Sequence, residues 1–365
     1  MNNLVVLLGP TGVGKTELSL HLAEHLSSPI LSADSRQIYR EIPICSAAAT
    51  AEQQARVRHY FVGTHSLDQG YSAAQFEADA MEVVNPNANL NLNLLRPKDA
   101  RTEGSNANPN ANLLRSKDAR TDGSNPASAN FILCGGSMLY LDAVCKGIDE
   151  MPQADPAIRE RLNQQVAAEG LEPLLTQLER LDPVYYATVD RQNPLRVIHG
   201  LEMCLTTGKP FSSFRTGQPK ERPFRIYKIG LRRTREELYD RIERRVGQML
   251  DQGLVPETLR VYEQYAESLH VQLKDVVRNP GPTQAQPIPN LFPTALNTVG
   301  LKEMLLYHEG IYSLERAIER IEHNSKIYSK KQMTWFQRDE SIHWFSPEEG
   351  EAIERFLDEN ICSIT

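Results

Sequence analysis

Short apolar runs and amphipathic stretches alternate along the first part of the chain. The apolar runs have the length of buried strands, and the stretches between them have the three-to-four-residue spacing of helices. We therefore expect strands at 4–8, 29–32 and 59–63 and helices at 17–26 and 72–84. Strands that alternate with helices in this way are typical of a parallel sheet covered by helices.

The same pattern returns in the second half of the chain, after a polar helical stretch. The run FILC at 131–134 predicts a strand that leads through two glycines into a helix. From 155 to 208 the chain is helical and polar, and prolines at 152 and 210 mark its limits. We expect an inserted all-helical domain over 151–219, with the α/β core at 1–150 and 220–365. The other expected elements are a strand at 224–231, helices at 234–252, from 256, at 301–308 and at 313–337, a loop at 279–293 and a strand at 342–345.

Residues 85–129 differ in composition from their surroundings. They are rich in Asn, Ala, Ser and Pro, and NLLRPKDARTEGSN from Asn93 recurs as NLLRSKDARTDGSN from Asn112. Two copies are too few to stack as a repeat protein, and the segment offers little apolar surface to bury. We expect a disordered low-complexity insertion in a surface loop of the core.

Composition is typical of a soluble protein of the cell interior. The chain has 365 residues, 40% of them hydrophobic, and a net charge of −7. No run reaches the roughly 18 apolar residues of a membrane span, and the first strand begins too early for a signal peptide. The five cysteines form no C-x-x-C pair, which disfavours a zinc site and a disulfide framework. We expect a cytoplasmic monomer with no membrane partner.

Positive charge is concentrated in two places despite the negative total. Residues 191–245 contain 14 Lys and Arg against 6 Asp and Glu, and a second cluster, Lys326, Lys330, Lys331 and Arg338, falls on one predicted helix. Local basic surface attracts a phosphate backbone whatever the net charge is. Charge alone leaves open the alternative that these are solvated helix faces.

The octapeptide GPTGVGKT at 9–16 fits the phosphate-binding pattern G-x-x-x-x-G-K-[ST], between a predicted strand and a predicted helix. Its glycines let backbone N–H groups turn toward a phosphate, Lys15 adds a point charge, and the Thr16 hydroxyl can hold Mg²⁺. The expected phosphate-binding residues are Gly9, Pro10, Thr11, Gly12, Val13, Gly14, Lys15 and Thr16.

Two common classes of phosphate-loop protein fit the sequence poorly. A motor-type ATPase needs an apolar strand that ends in acidic residues, but the strand at 131–134 ends in Gly135 and Gly136. A GTPase needs Asn-Lys-x-Asp to read guanine, and the sequence does not contain this tetrapeptide. A small-molecule kinase that uses ATP remains an alternative.

Asp34 and a group of arginines are the other candidate reactive residues. Asp34 begins the string DSRQIYR directly after the second strand, so it would lie beside the phosphate loop at the ligand-binding edge of the sheet. There it could accept a proton or order a water on Mg²⁺, and the alternative is a helix cap. Arg235 and Arg241 belong, with Arg232, Arg233 and Arg245, to a basic run that could close over phosphates or lie on a solvated helix face.

Together these strings resemble the tRNA dimethylallyltransferases (tRNA isopentenyltransferases) of the bacterial type. The resemblance covers nearly the whole chain outside 85–129. Its segments are GPTGVGKT, DSRQIYR, GGSMLY at 135–140, NPLRVIHGLE at 193–202, RxxLYDRIxxRVxxML from Arg235 and SKKQMTWF at 329–336. Where the family usually has GGTGLY, this chain has Ser137, which keeps the hydroxyl, and Met138.

The resemblance implies a P-loop NTPase-like fold and the transfer of a dimethylallyl group from dimethylallyl diphosphate to N6 of the adenosine 3′ of the tRNA anticodon. The loop would hold the diphosphate together with Mg²⁺, Asp34 would take the N6 proton, and Thr11 would lie near the reacting diphosphate. The candidate catalytic residues are Asp34, Thr11, Lys15, Arg235 and Arg241.

The remaining motifs would grip the anticodon stem-loop of tRNA, with the target base flipped out of its stack. The implied tRNA-binding residues are Asp34, Ser35, Arg36, Gln37, Ser137, Arg159, Leu195, Arg196, Val197, Ile198, His199, Lys330, Lys331, Gln332, Thr334 and Trp335. A buried core position is the alternative for Trp335.

Two other functions compete with prenyl transfer. A kinase would leave SKKQMTWF and the helical insertion unexplained. An RNA-binding protein without catalysis would leave an intact phosphate loop and Asp34 without a role.

Overall fold

A computed structural model of the protein describes residues 1–85, 129–152, 154–278 and 295–361. Apart from its two end residues, the insertion expected over 85–129 lies outside the described residues, as does the loop expected over 279–293. The chain divides into two compact units, one made of Met1–Cys145 with Arg222–Thr365 and the other of Lys146–Glu221. The helical segment expected over 151–219 falls within the second unit.

The first unit contains a six-stranded sheet in which every strand pair is parallel. In chain order the strands are β1 (Asn2–Leu8), β2 (Ile30–Ala33), β3 (His59–Tyr60), β4 (Asn130–Gly135), β5 (Phe224–Leu231) and β6 (Ile342–Phe345). Their order across the sheet is β3-β2-β4-β1-β5-β6. β1 lies at the centre, and its Val5 is flanked by Ile132 and Tyr227.

Thirteen α-helices lie within the described residues. They are α1 (Lys15–His25), α2 (Ala51–Arg56), α3 (Ala73–Val84), α4 (Met138–Lys146), α5 (Pro156–Glu169), α6 (Glu172–Leu181), α7 (Pro183–Thr188), α8 (Pro194–Thr207), α9 (Arg235–Asp251), α10 (Leu254–Arg278), α11 (Leu301–His308), α12 (Leu314–Phe336) and α13 (Gly350–Ile361). In the part of the chain that the structure covers, none is both long and apolar enough to cross a membrane.

The sheet is buried on both faces. Four consecutive residues of β1, Leu4 to Leu7, are fully buried, and successive side chains of a strand point to opposite faces. Such a strand needs helices on each side, as parallel sheets usually have. On one face, Leu20 of α1 and Ile242 of α9 pack with β1. This packing places α1 and α9 close to the end of β1.

Two expectations about the elements need correction. The strand expected at 59–63 ends at Tyr60, because Phe61 and Gly63 have φ angles of 65° and 62°, which a strand cannot contain. Helices α2 and α13 were not expected. In α13, Ile353 and Leu357 are fully buried four residues apart, which is a short helical signal between polar residues.

The second unit is helical and has a core of its own. Leu174, Leu178, Val197 and Leu201 are fully buried in it. Asp182 is also fully buried, and its carboxylate accepts hydrogen bonds that cap α7 and hold the 3₁₀ helix Phe211–Phe214. A buried carboxylate with several donors fixes the local chain path.

Candidate active site

The phosphate loop connects β1 to α1. Gly9 and Gly14 have φ angles of 154° and 113°, which residues with a side chain rarely adopt. A Cβ atom on Gly9 would also lie 2.8 Å from the carbonyl oxygen of Leu231. Glycine is therefore required for the loop to follow this path, at the end of the central strand and the beginning of a helix, where anions bind.

The Lys15 ammonium folds back over the loop. Its Nζ donates to the carbonyl oxygens of Gly9 and Pro10, at 2.9 Å each. Burial, helped by Arg245, lowers the pKa of Lys15 to about 8, although Asp34 acts in the opposite direction. A bound anion would favour the charged form and raise this pKa again.

Two arginines contact the loop through its carbonyl oxygens. Arg233, just after β5, donates from Nε to the oxygen of Val13 at 2.9 Å. Arg241, on α9, donates from Nε to the oxygen of Gly12 at 2.8 Å. Each bond occupies one N–H of a planar fork and so holds the terminal nitrogens in place beside the loop. Nη2 of Arg233 also forms an ion pair with Glu348 at 2.5 Å.

Arg245 lies one turn after Arg241, and its Nη1 donates to the Thr11 hydroxyl at 3.2 Å. Burial lowers the pKa of Arg245, but a guanidinium stays charged in proteins. Arg235 is exposed, with its guanidinium 5.1 Å from the ring centre of Tyr239. The arginines that contact the loop are thus Arg233, Arg241 and Arg245, and Arg235 does not line the site.

Asp34 follows β2, and β4 separates that strand from β1. Its Oδ1 accepts a hydrogen bond from the Arg36 N–H at 2.9 Å, which is a local turn. The turn is tied to the residues after β4, because the Ser137 hydroxyl accepts from the Ser35 N–H at 2.9 Å. The side chain of Asp34 is thereby held at the same edge of the sheet as the phosphate loop.

A cavity of about 830 Å³ joins these parts. Its lining combines basic residues, Asp34, Thr16 and a group of small or apolar residues. The basic residues are Lys15, Arg233, Arg241, Arg244 and Arg245, and the small or apolar ones include Pro43, Ile44, Ala47, Ala48 and Ala49. Gln37 also lines it and donates to the Ala47 carbonyl oxygen at 2.9 Å. The cavity suits an anion that carries a small apolar group.

The SKKQMTWF residues lie on two sides of α12. Lys330, Lys331 and Thr334 are exposed, whereas Gln332 is only 2% exposed. The Gln332 amide contacts the phosphate loop, because its Oε1 accepts from the Thr11 N–H at 2.8 Å. Gln332 thus lies on the side of α12 that faces the phosphate loop and lines the cavity, and its contact with tRNA stays a prediction.

Trp335 is not a core residue, since 40% of it is exposed. Its indole N–H donates to Asp142 of α4 at 2.9 Å, and the Arg338 guanidinium lies 5.7 Å from its ring centre. The ring is therefore fixed in orientation while part of its surface remains open to solvent.

Within the second unit, Arg159 forms two hydrogen bonds to the buried carboxylate of Glu202, at 2.9 and 2.5 Å. The ring of His199 lies 3.5 Å from the same carboxylate. This carboxylate therefore holds both basic side chains in place, and each remains about half exposed.

The start of α8 separates exposed from buried candidates. Leu195 and Arg196 are exposed, whereas Val197 and Ile198 are buried in the core of the second unit. The side chains of Val197 and Ile198 pack within the protein and do not face solvent. Of these four candidates for tRNA contact, Leu195 and Arg196 present their side chains to a partner.

Three residues of the site were not among the assigned catalytic or binding residues, although Arg233 and Arg245 belong to the predicted basic run. Arg245 has a signal, because it lies four residues after Arg241 on one helix face. Tyr328, one turn before Gln332 on α12, also lines the cavity, and burial raises the pKa of Tyr328 to about 12. Nothing in the sequence distinguishes Arg233 from its basic neighbours.

Comparison with known proteins identifies the family. A family model described as IPP transferase matches residues 37–93 and 117–339. A protein of Parabacteroides distasonis called tRNA dimethylallyltransferase 2 is 45% identical over 361 residues, 99% of this chain and 100% of that protein. The chain belongs to the tRNA dimethylallyltransferase family. Another tRNA dimethylallyltransferase 2, from Porphyromonas gingivalis, is 48% identical over 95% of each chain.

Solved structures agree with this membership. The tRNA isopentenylpyrophosphate transferase of Bacillus halodurans matches with a TM-score of 0.59 and 27% identity, covering 100% of this chain and 98% of that one. A eukaryotic dimethylallyltransferase, at 19% identity and a TM-score of 0.72, shares the fold. The phosphate-loop α/β fold predicted from the sequence is confirmed. The kinase alternative receives no support, since the family is one of tRNA-modifying prenyltransferases.

Proposed function

We propose that this tRNA dimethylallyltransferase transfers the dimethylallyl group of dimethylallyl diphosphate to N6 of the adenosine 3′ of the anticodon in tRNA. The observation that carries the proposal is the cavity in which the phosphate loop, its arginines and Asp34 meet. The cations of this cavity could bind a diphosphate, and the Asp34 carboxylate could accept a proton from an attacking amine.

In the proposed reaction the C1–O bond of the allylic diphosphate breaks and a C1–N6 bond forms. The adenine amine is a poor nucleophile, because its lone pair is delocalised into the ring, so it must lose a proton as it attacks. Asp34 takes that proton, and diphosphate leaves with the bonding electrons. The product is N6-dimethylallyl adenosine in tRNA, and no water takes part in the balance.

Negative charge develops on the bridging oxygen as the C1–O bond breaks. Lys15 and Arg241 neutralise it from positions fixed by their bonds to the loop. Arg233 contributes when the diphosphate replaces Glu348 as the partner of its guanidinium. Fixed charges stabilise a transition state without the cost of reorganisation, which is the largest contribution in many enzymes.

Mg²⁺ fits the residues present if the diphosphate supplies part of its ligands. Thr16 lies in the cavity with its hydroxyl in the position typical of a phosphate-loop metal ligand. Among the residues described, no group of three or more His, Cys, Asp or Glu side chains could hold a metal alone. Thr16 would hold the ion, and the ion would neutralise charge on the leaving diphosphate.

The tRNA would be held by exposed basic and aromatic side chains. Lys330, Lys331 and Trp335 on α12, and Arg196 on α8, are exposed and suited to phosphates and bases. The target adenosine would leave its stack to reach Asp34, at a cost of about a few kcal/mol. We place the enzyme in the cytoplasm, acting as a monomer.

The test uses unmodified tRNA with one of two labelled donors. One is dimethylallyl diphosphate labelled in the allyl group, and the other is ATP labelled in its γ-phosphate. We expect allyl label on one adenosine of the tRNA and no transfer from ATP. Transfer of γ-phosphate to any acceptor, with no allyl transfer, would refute the proposal in favour of a kinase.

A further inference from the structure

We propose that Gln332 is a positioning residue that holds the phosphate loop in its reactive shape, and that it does so from the helix that presents Lys330 and Trp335. The kinetic part of this inference rests on the proposed function. Its binding part needs only that the loop binds a diphosphate.

The Gln332 side chain bridges two turns of the sheet edge. Its Oε1 accepts from the Thr11 N–H at 2.8 Å, and its Nε2 donates to the Gly136 carbonyl oxygen at 2.8 Å. Thr11 belongs to the turn after β1, and Gly136 to the turn after β4, the neighbouring strand. The amide therefore fixes the phosphate loop relative to the strand between β1 and β2.

Gln332 is suited to this bridge because one amide group has both an acceptor and donors. The bridge is buried, with only 2% of Gln332 exposed, so water cannot easily replace it. A buried backbone N–H or carbonyl group that loses its hydrogen-bond partner destabilises the turn that contains it. The Gly136 position has no room for a side chain either, since a Cβ there would lie 2.3 Å from Nε2 of Gln332.

Thr11 is held from two sides as a result. Its N–H donates to Gln332, and its hydroxyl accepts from Arg245. If either contact is lost, only the other still restrains the position of Thr11. Because Thr11 stands in the middle of the loop, a change in its position also displaces Gly12 and its bond to Arg241.

The bridge extends to the residues around Asp34. Nε2 of Gln332 donates to the carbonyl oxygen of Gly136, the residue directly before Ser137. Ser137 in turn accepts from the Ser35 N–H, next to Asp34. One face of α12 therefore holds the diphosphate side and the proton-accepting side of the cavity in register, while its other face is exposed.

The first test replaces Gln332 by Met, which keeps the volume and removes both hydrogen bonds. Gln337→Met is the matched control, since Gln337 is exposed at the end of the same helix. For Gln332→Met we expect pyrophosphate affinity and kcat each to fall about 10- to 100-fold, because a small misplacement of reacting groups costs about that much. Affinity for tRNA should stay within about twofold of wild type, and Gln337→Met should match wild type in all three measurements.

The second test uses Gln332→Glu and pH. An ionised carboxylate can accept from the Thr11 N–H but cannot donate to the Gly136 oxygen, whereas a protonated carboxyl can do both, as the amide does. Burial favours the protonated form. The ratio of variant to wild-type kcat should therefore rise as pH falls from about 8 to about 6. A role in stability alone would leave that ratio flat, and this test still applies if the Met variant does not fold.

Three results would overturn the inference. They are unchanged pyrophosphate affinity in Gln332→Met, a loss confined to tRNA affinity, and a pH-independent ratio in Gln332→Glu. If wild-type protein transfers no prenyl group, the proposed function fails, but the pyrophosphate affinities still decide whether Gln332 shapes the loop.

Discussion

The cations around the phosphate loop and the cations on the exposed face of α12 carry the same charge in different surroundings. Arg233 and Arg241 are each fixed by a hydrogen bond from Nε to a loop carbonyl oxygen. Lys330 and Lys331 are exposed on a helix surface. The first arrangement suits one small anion in one position, and the second suits a polyanion that can bind in several registers. The two groups of cations therefore differ in whether hydrogen bonds fix their positions, and not in their charge.

Changing Asp34, the proposed proton acceptor, should have the largest effect. Asp34→Asn keeps an oxygen that can accept from the Arg36 N–H, but it cannot take a proton. We expect kcat to fall about 10²- to 10⁴-fold, with tRNA affinity unchanged. Single-turnover transfer and tRNA binding would be measured side by side. Near-normal turnover in Asp34→Asn, with loss only in Asp34→Ala, would show that Asp34 merely holds its turn.

Removing the loop lysine should have the next largest effect. We expect Lys15→Ala to weaken pyrophosphate binding about 10- to 100-fold, as loss of a charged hydrogen bond does. Since the pKa of Lys15 is about 8, the wild-type advantage should shrink as pH rises from about 7 to about 9, because the lysine loses its charge there. Calorimetry of both proteins at each pH gives the ratio, from which titration of the ligand cancels. A ratio that grows with pH would contradict the assigned role.

Two arginines of one helix test whether fixation matters. Arg241→Ala should reduce pyrophosphate affinity about tenfold, because Arg241 contacts the loop. Arg235→Ala should change it less than twofold, because Arg235 is exposed and lies against Tyr239. Equal losses in the two variants would mean that overall charge, and not contact with the loop, controls diphosphate binding.

The exposed cations should respond to salt. If Lys330 and Arg196 contact tRNA phosphates, log K for tRNA should fall linearly with log salt, and each Ala variant should lower that slope by about one. Pyrophosphate affinity should be unchanged in both. Binding measured over a salt series checks this, and unaltered slopes would show that these residues are solvated helix faces.

The smallest effect should come from removing the segment that the family model does not match, 94–116. Its repeat-derived polar composition offers little to a core, so we expect unchanged kcat and a melting temperature within about 2 °C of wild type. Scanning calorimetry and the transfer assay together check this, and a large loss in either would give the segment a role.

Elements with a strong apolar pattern could be predicted from the sequence. The strand at 224–231 and the helix at 301–308 have the expected bounds, and glycine spacing located the phosphate loop. The sequence did not reveal the early end of β3 at Phe61, because that residue adopts a positive φ although its type favours strands. The helix α2 has no buried residue, and therefore no apolar pattern to detect.

Site residues were predictable where chemistry is local. Lys15, Thr16 and Asp34 line the cavity as expected. The contacts of Arg233 and Gln332 with the phosphate loop could not be predicted, because they join residues that are 220 and 321 positions apart in the sequence. Tertiary contacts of this kind leave no periodic signal in a single sequence. The buried Gln332 could therefore not be distinguished from the exposed Lys330 and Lys331 of the same motif.

The strand order has a consequence for how the site can change. β4 lies between the strand that carries the phosphate loop and the strand that carries Asp34, so two strand spacings, about 10 Å, separate their ends. The intervening strand ends in glycine, and a Cβ on Gly135 would lie 2.2 Å from the Ala33 carbonyl oxygen. The phosphate loop and Asp34 therefore follow two different strands, and β4 packs against β2 so closely that Gly135 has no room for a side chain. Gln332 joins the turns after β1 and β4, and Ser137 joins the turns after β4 and β2, so a substitution in one of these turns should also shift the others.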